Sequence, residues 1–373
     1  MVQISSMKFA FRTDASFQIG IGHVMRCLTL ASKLAEDKHE IFFICRELDG
    51  NLIQVIEAKG FRVFKLQNSG NNRIIEIDIT NCEHQNWLET SWEFDAVQVQ
   101  EVLKVIKPDW LIVDHYSLDK RWELKLKSEV RFIMVIDDLI DRDHICDLLL
   151  DQNFGRKKND YVTLVGSDCK ILTGPKFSIL RPEFEENRMC SLKNRTINPT
   201  CKTLLISLGG IDKDNITSLI LNALDKCQDS LDLKITVVVG KNCPWQSEIV
   251  FLANSIKWPT RVLIDVSNMA ELMTYIDFSI GAAGSTSWER CALGVPSILV
   301  SVAENQKNLL ASLAKAKLCV ALKLSYDVAS LTKRIEEAIN LLKMNQKDLI
   351  LKSSNLVDGK GVSRIKDSIY ELS

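Results

Sequence analysis

Short, continuously apolar segments alternate with helical segments along most of the chain, and this alternation constrains its fold more than any other feature. Residues 7–14, 39–45 and 108–116 are apolar runs of strand length, and residues 22–38 carry apolar positions at helical spacing. Strands without an alternating polar face are typical of parallel sheets that are covered by helices on both sides. The pattern therefore predicts an α/β fold built on parallel sheets.

The alternation is interrupted once, over residues 187–200, which are polar, contain a proline and show no periodicity. We interpret this segment as a linker, because the 373 residues suit two domains of ordinary size. We predict a Rossmann-like N-terminal domain over 1–190, a second Rossmann-like domain over 200–355, and a C-terminal helix over 356–373 that packs back on the first domain. Two such domains would face each other across a cleft. Ligands of parallel sheets bind at the carboxyl ends of the strands, so motifs there carry most information.

The composition is that of an ordinary globular protein and argues against several classes. The formal net charge is -1 and no basic run contains interleaved aromatic residues, so we expect no nucleic-acid partner. There is no apolar segment of about 18 residues and no signal-peptide pattern, so we expect a cytoplasmic protein without a membrane partner. The eleven cysteines lack Cys-x-x-Cys spacing, which favours reduced core residues. We expect a monomer or a weak homo-oligomer.

The first candidate site is the turn between the first strand and the helix that follows it. Gly20 and Gly22 precede His23, which opens the helix. Glycines allow a ligand to approach the backbone, and the free N–H groups of a helix start favour anions. A dinucleotide fingerprint would require a third glycine where Met25 stands. A histidine at a helix start tends to stay neutral and can act as a general base; the alternative is a helix-start residue without a chemical role.

Two turns in the second half are candidate phosphate sites. Gly209 and Gly210 directly follow a predicted strand, where two glycines can form an anion-binding nest. The small residues 281–287 leave a later strand and begin a helix that carries Glu289, whose carboxylate could accept two ribose hydroxyls. Steric need for glycine and serine capping would explain the same residues without a ligand.

Polar side chains also follow other predicted strands. Asp114 and Tyr116 end a strand in the same layer as His23, and Asn305 and Gln306 follow a strand of the second half, where contacts to a sugar are plausible. Four acids follow the next strand of the first half: Asp137, Asp138, Asp141 and Asp143. Such a cluster could bind a divalent metal, but acids at strand ends more often cap helices or face solvent. We predict no metal site and no cofactor.

Seven segments together resemble a known enzyme family. They are FRTDASFQIGIGHVMRCLTLA, NWLETSWEFDA, IVDHYSLDKRWE, VIDDLIDRDHICDLLLDQN, GPKFSILRPEF, SLGGIDKDN and GSTSWERCALGVPSILV, in this order. In these segments the chain is similar to the UDP-2,4-diacetamido-2,4,6-trideoxy-β-L-altropyranose hydrolases of pseudaminic acid biosynthesis. The similarity extends from about residue 7 to beyond residue 310. The last segment is shared with many enzymes of the glycosyltransferase B fold.

The resemblance implies two Rossmann-like domains of the glycosyltransferase B type and an inverting hydrolase that needs no metal. Water would attack the anomeric carbon and UDP would leave, with His23 as the catalytic residue that activates the water. Tyr116 would contact the sugar, Glu289 the ribose and residues 284–286 the phosphates. The full set of predicted substrate-binding residues is Arg12, Asp14, Gly20, Gly22, Arg26, Asp114, Tyr116, Gly209, Gly210, Asn215, Gly284, Ser285, Thr286, Glu289, Asn305 and Gln306.

Two other functions stay open at this point. One is a glycosyltransferase of the same fold, which would pass the sugar of a UDP-sugar donor to an alcohol; the other is a sensor that binds the nucleotide sugar without reaction. A transferase that acts on a membrane lipid usually has an apolar and basic surface segment in its first domain. We find no such segment, which favours the hydrolase. The expected partner is in every case a small UDP-sugar.

Overall fold

The computed structural model of the protein describes residues 6–67, 84–197, 200–304 and 306–373. The chain divides into two units, each with its own parallel sheet. The first unit comprises Met1–Ile179 and Gly361–Ser373, and the second comprises Leu180–Lys360. The chain thus leaves the first unit before the predicted linker begins and returns to it for its last residues.

The first unit contains a seven-stranded sheet in which every neighbouring pair of strands is parallel. Its elements are β1 (Lys8–Thr13), α1 (Gly22–Ala35), β2 (Glu40–Arg46), α2 (Ile53–Ala58), β3 (Arg62–Leu66), α3 (Trp92–Ile106), β4 (Trp110–Asp114), α4 (Lys120–Leu126), β5 (Phe132–Ile136), β6 (Leu148–Asp151) and β7 (Lys170–Thr173). The strand order is β3-β2-β1-β4-β5-β6-β7. Single 3-10 turns lie at Gln85–Leu88, Lys127–Glu129, Lys158–Asp160 and Pro175–Phe177.

The second unit contains a six-stranded sheet of the same kind. Its elements are α5 (Pro182–Glu186), α6 (Arg188–Ile197), β8 (Thr203–Ser207), α7 (Ile216–Asp225), β9 (Lys234–Val239), α8 (Gln246–Ser255), β10 (Thr260–Ile264), α9 (Met269–Thr274), β11 (Phe278–Ala282), α10 (Thr286–Ala292), β12 (Ser297–Val300), α11 (Gln306–Lys315), β13 (Val320–Ala321) and α12 (Val328–Leu356). The strand order is β10-β9-β8-β11-β12-β13. The predicted α/β class with two parallel sheets is confirmed.

Both faces of the first sheet are buried, which explains why its strands are continuously apolar. Phe9 and Phe11 of β1 belong to one core, together with residues of α1. Ala10, between them, belongs to a second core with Leu111, Val113 and residues of α3 and α4. Because successive side chains of a strand point to opposite faces, a strand covered by helices on both sides has no polar face.

The last helix of the chain, α13 (Gly361–Leu372), belongs to the first unit. Ile365 and Ile369 are fully buried in the core that contains β1. The ring of His39, which precedes β2, lies with Nε2 at 2.8 Å from the hydroxyl of Tyr370. The sequence predicted a single terminal helix over 356–373, whereas α12 extends to Leu356 and α13 starts at Gly361.

The predicted linker over 187–200 is wrong for most of its length, because Arg188–Ile197 form helix α6. Its residue Arg195 is buried and donates hydrogen bonds to the carbonyl oxygens of Met273, Ile276 and Leu293. Two of these carbonyls belong to residues just beyond helices α9 and α10, where a cation is favoured. The helix was not recognised because a charged side chain, rather than an apolar stripe, anchors it.

None of the helices in the described ranges combines the length and the apolar composition that are needed to span a bilayer. The cysteines of the same ranges are all free, and most of them are buried, as predicted for core thiols.

Candidate functional site

In the first sheet, β1 and β4 lie side by side where the strand order reverses direction. The connections that leave two such strands run to opposite sides of the sheet, which makes their carboxyl ends the usual place for a ligand. The loop 14–21 follows β1 and the segment 115–119 follows β4. The candidate residues of the first half of the chain therefore meet at this edge.

His23 is the second residue of α1, and its ring is held by Asp114, the last residue of β4. The Nδ1 atom lies 2.6 Å from Oδ1 of Asp114. The carboxylate is fully buried, whereas the histidine side chain is 10% exposed. A carboxylate at this distance favours the tautomer with its proton on Nδ1, which leaves the lone pair of Nε2 available. Within the described ranges Nε2 makes no hydrogen bond.

Arg26, one turn further along α1, fixes the same carboxylate. Its Nε atom lies 2.5 Å from Oδ2 of Asp114, and its Nη2 atom lies 2.6 Å from Oδ1. Burial alone would raise the pKa of Asp114, but the guanidinium of Arg26 and the ring of His23 hold this pKa well below its usual range. Asp114 is therefore ionised at neutral pH and can orient the imidazole.

Tyr116 and Asp138 complete this group of side chains. The Tyr116 ring lies edge-on to the His23 ring, with 4.5 Å between their centroids. Its hydroxyl donates to Oδ2 of Asp138 at 2.8 Å, and Nη1 of Arg26 donates to the same oxygen at 2.6 Å. Burial, together with the nearby Asp138 carboxylate, raises the pKa of Tyr116 well above its usual value, so the phenol stays protonated. The sequence pattern indicates no role for Asp138 other than its place in the cluster of four acids after β5.

An aromatic cluster that the sequence analysis missed adjoins His23. The indole of Trp87 stacks on Tyr116 with 5.3 Å between ring centroids, and its centroid lies 6.0 Å from that of His23. His84 contacts both Trp87 and Tyr116 edge-on. Trp87 lies in one of the seven segments that resemble the hydrolase family, and this was the available signal. Stacked aromatic rings offer an apolar surface on which a sugar ring can pack.

Gly20 and Gly22 lie in open surroundings. Gly20 has a φ of +80°, which a side chain would strain, and its N–H donates to the carbonyl oxygen of Ser16. A Cβ atom on either glycine would have no atom of the described residues within 4 Å. The backbone that leads into His23 is therefore accessible to a ligand.

Arg12 and Asp14 lie inside the unit rather than on its surface. The Arg12 guanidinium is fully buried, and its Nη1 and Nη2 atoms are each 2.7 Å from a carboxylate oxygen, of Asp14 and Asp95 respectively. Asp14 also accepts a hydrogen bond from the backbone N–H of Arg46 at 2.7 Å. The ion pair with Asp95 connects β1 to α3, and the hydrogen bond from Arg46 connects β2 to Asp14, the first residue of the loop that carries the glycines. The geometry favours this structural role over the predicted substrate contact, which stays a prediction.

The four acids after β5 do not converge on one point. Asp137 accepts hydrogen bonds from the backbone N–H groups of Leu139 and Ile140. Asp141 pairs with Arg142, and Asp143 with Lys120. No group of three or more side chains in the described ranges is arranged to hold a metal ion.

In the second sheet, β8 and β11 are the strands at which the order reverses, and the predicted glycines follow β8. Gly209 has a φ of +106° and open space where a Cβ would stand. The carbonyl oxygen of Gly210 accepts a hydrogen bond from the N–H of Gly240 at 3.0 Å. A Cβ on Gly240 would lie only 2.3 Å from that oxygen, so the turn is packed tightly against the end of β9. Close packing thus explains why residue 240 is a glycine. The open space at Gly209, by contrast, leaves room for a ligand.

The start of α7 is stabilised from within the protein. The Asp212 carboxylate accepts the backbone N–H groups of Ile216 and Thr217 at 3.0 and 2.9 Å. Asn215, a predicted contact residue, has a φ of +53° and donates from Nδ2 to Glu248 at 2.8 Å. Its Oδ1 atom is buried without a hydrogen-bond partner among the described residues.

The loops before α10 and α11 come together. Gly284 and Ser285 lead into α10, which begins at Thr286, and Gln306 begins α11. The Nε2 atom of Gln306 lies 3.8 Å from the point where a Cβ of Gly284 would stand. The structure therefore brings together Gly284 and Gln306, which the sequence predicted as parts of two separate motifs. Asn305 lies outside the described residues.

Glu289 faces the same edge of the second sheet from α10. Its side chain is 18% exposed, and Oε1 lies 3.8 Å from Nη2 of Arg181. Burial raises the pKa of Glu289 to about 7, although Arg181 and Arg290 oppose this shift. The buried guanidinium of Arg290 donates to the carbonyl oxygens of Ser207 and Ala282, which ties the ends of β8 and β11 together.

Comparison with known proteins shows what the chain is similar to in sequence. Residues 203–369 match the glycosyltransferase family 28 C-terminal domain. The chain is 27% identical over 311 residues to the UDP-2,4-diacetamido-2,4,6-trideoxy-β-L-altropyranose hydrolase of Campylobacter jejuni, which covers 83% of this chain and 97% of that protein. An uncharacterised protein of Methanocaldococcus jannaschii is 28% identical over 81% of this chain, and the match spans only 57% of its own length. The spore coat polysaccharide biosynthesis protein SpsG of Bacillus subtilis is 28% identical over 56% of this chain and 60% of its own length.

Solved structures extend the likeness to the fold of the whole chain. MurG of Acinetobacter baumannii matches with a TM-score of 0.68 at 12% identity and covers 98% of this chain and 99% of its own. The UDP-GlcNAc 2-epimerase of Neisseria meningitidis matches with a TM-score of 0.59 at 14% identity, over 98% and 99% of the two chains. The chain thus has the glycosyltransferase B fold, as predicted. The similarity to the C. jejuni hydrolase over most of both chains, together with the match to the family 28 C-terminal domain, supports the resemblance found in the seven segments.

Proposed function

We propose that this protein hydrolyses UDP-2,4-diacetamido-2,4,6-trideoxy-β-L-altropyranose, a step of pseudaminic acid biosynthesis, with water attacking the anomeric carbon. The relationship to the C. jejuni hydrolase supports the class of substrate. The observation that carries the proposal is the pair of His23 and Asp114, in which a buried carboxylate holds Nδ1 and leaves Nε2 free. A histidine held in this way is suited to take a proton from water.

The proposed reaction is a single displacement. Nε2 of His23 accepts a proton from water while the water oxygen bonds to the anomeric carbon. The bond between this carbon and the diphosphate oxygen breaks, UDP leaves with the bonding electrons, and the configuration at the anomeric carbon inverts. The imidazolium that forms is stabilised by Asp114, which is already ionised. We assign no step to a metal ion.

We assign the other predicted residues to the two ends of the substrate. The open backbone at Gly20 and Gly22 and the ring of Tyr116 are proposed to contact the sugar. The open turn at Gly209 and the carboxylate of Glu289 are proposed to contact the nucleotide. The remaining proposed nucleotide contacts are Gly210, Asn215, Gly284, Ser285, Thr286, Asn305 and Gln306.

Hydrolysis in oxygen-18 water tests the reaction directly. The UDP-sugar is incubated with the purified protein, and the free sugar and UDP are analysed by mass spectrometry and proton NMR. Label in the sugar supports cleavage at the anomeric carbon, whereas label in UDP would overturn the mechanism. A transferase would turn over only after an alcohol acceptor is added, and a sensor would bind the UDP-sugar without releasing UDP.

His23→Ala and His23→Phe test the role of the imidazole. We expect kcat to fall by about a thousandfold, with little change in the Kd for UDP, because the ring is assigned to the sugar end. His39→Gln is the matched control, since His39 stands before the amino end of β2, at the opposite edge of the same sheet. A rate for the His23 variants that equals that of the control would remove the imidazole from the mechanism.

A further inference from the structure

We propose that Asp138 is a positioning residue of the candidate site, whose carboxylate holds both the guanidinium behind the His23–Asp114 pair and the phenol beside the His23 ring. The inference rests on the proposed function, because it concerns the histidine that this function uses as a base. Neither the sequence motifs nor the comparisons assign a role to Asp138.

The geometry places one carboxylate oxygen between two donors. Asp138 lies two residues beyond the end of β5, the strand next to β4. Its Oδ2 atom is 2.6 Å from Nη1 of Arg26 and 2.8 Å from the hydroxyl of Tyr116. The side chains of Asp138 and Arg26 are each 12% exposed. Hydrogen bonds to a charged, largely buried acceptor are stronger than neutral ones, so these two contacts restrict both donors.

Asp138 is itself held from the side of β6. The Nδ2 atom of Asn153 lies 3.4 Å from its Oδ1 atom and 3.3 Å from its carbonyl oxygen. Nη2 of Arg156 donates to the same carbonyl oxygen at 3.2 Å. The segment after β6 thus fixes the position of the Asp138 carboxylate. This carboxylate in turn orients α1 through Arg26 and the end of β4 through Tyr116.

The charges give this arrangement a catalytic consequence. Arg26 places one positive charge between two carboxylates, those of Asp114 and Asp138. When His23 takes a proton from water, the positive charges of His23 and Arg26 lie beside the negative charges of Asp114 and Asp138. Without the Asp138 carboxylate, the new imidazolium would face a neutral pair of Arg26 and Asp114 instead of a net negative charge, and the transition state would be less stable.

The other polar and aromatic groups around the ring complete the electrostatic setting. They are Cys27 on α1, Tyr116 after β4, His84 directly before the first 3-10 turn, Trp87 in that turn, and Arg142, whose guanidinium carbon lies 5.7 Å from the centre of the Tyr116 ring. Asp114 and Asp138 are the carboxylates of the described residues that contact Arg26. Neutralising Asp138 therefore makes the surroundings of His23 more positive.

Asp138→Asn tests the inference, because it keeps the size of the side chain and removes its charge. We expect kcat to fall by about ten- to a hundredfold, while the KM and the Kd for UDP change less than about threefold. The acidic limb of the pH profile of kcat/KM should move to lower pH, since less negative charge faces the imidazole. Asp143→Asn, a neutralised acid of the same loop that pairs with Lys120 at the surface, is the control and should behave like the wild type.

Tyr116→Phe separates the two contacts of the carboxylate, because it removes only the phenol hydroxyl. If Asp138 also acts through Arg26, Asp138→Asn loses more activity than Tyr116→Phe, and the double variant loses little more than Asp138→Asn alone. Equal losses in the two single variants would show that Asp138 serves the phenol only and would refute the contact with Arg26 as a functional one. Should Asp138→Asn not fold, Arg26→Lys tests the same contact, since an ammonium group lacks the planar fork that pairs with Asp114 through two nitrogens while a third contacts Asp138.

A measurement without turnover distinguishes failure of this inference from failure of the proposed function. Long-range proton–nitrogen NMR of the ligand-free protein reports the tautomer of the His23 ring. We expect a single tautomer with the proton on Nδ1 in the wild type and a mixture in Asp138→Asn. If the wild type releases no UDP, the proposed function fails, and the spectra still decide the role of Asp138. An unchanged spectrum together with an unchanged rate and pH profile would refute the positioning role.

Discussion

Glu289 should make the binding of UDP depend on pH near neutrality. Its side chain is 18% exposed, and burial raises the pKa of its carboxyl group to about 7. If its ionised form accepts the ribose hydroxyls, UDP binds far more tightly to that form than to the protonated one. The affinity for UDP is then highest at pH values above the raised pKa of Glu289, and it falls as the pH decreases through this pKa. The ionised fraction rises from about one tenth at pH 6 to about nine tenths at pH 8, so we expect the association constant to rise about tenfold.

Isothermal titration at pH 6, 7 and 8 and constant ionic strength measures this effect in the wild type and in Glu289→Gln. The terminal phosphate of UDP also titrates, with a pKa of about 6, but it does so equally for both proteins. The ratio of the two association constants at each pH therefore isolates the carboxyl group. We expect this ratio to rise about tenfold from pH 6 to pH 8. A ratio that stays constant over this range would refute the assignment of Glu289 to the ribose.

Three further changes test other parts of the structure. Asp114→Asn should lower kcat by about a thousandfold or more at an unchanged Kd for UDP, because the imidazole loses its charged partner; a loss below tenfold in steady-state assays would contradict this. Arg195→Met should lower the free energy of unfolding by about 3 kcal/mol in urea titrations, since three carbonyl oxygens lose their donor, and an unchanged value would argue against the anchoring of α6. Gly281→Ala should cost about 2 kcal/mol, seen as a lower Tm, because its Cβ would lie 2.0 Å from Nη2 of Arg290; Gly166→Ala, which has open space, is the control.

The fold class could be predicted because it depends on a local property. Strands buried on both faces are apolar at every position. In the helices between them, apolar residues recur every three to four positions. Both patterns are visible within ten to twenty residues of sequence, and the structure places β1, β2 and β4 where they were expected. Helix α6 was missed for the converse reason, since its buried contacts are made by a charged residue, Arg195.

The candidate site could be predicted only in part. The position of His23 at a helix start and that of Asp114 at a strand end follow from local pattern, and the family resemblance added the catalytic role. The contact between Arg26 and Asp138 could not be predicted from the sequence, although both residues lie in segments that resemble the hydrolase family. The burial of Arg12 and Asp14 was equally hidden, because a charged residue on a strand gives no sign of its partners.

The sequence by itself thus determined the elements, their alternation and the ends at which polar residues collect, because these depend on neighbouring residues. The tertiary structure decided which polar residues meet. The order β1-β4-β5 brings Arg26 of α1 to Asp114 and Asp138, although the three are far apart along the chain. Charges in a protein interior are stable only when they are paired, and the pairing is set by strand order and not by sequence distance.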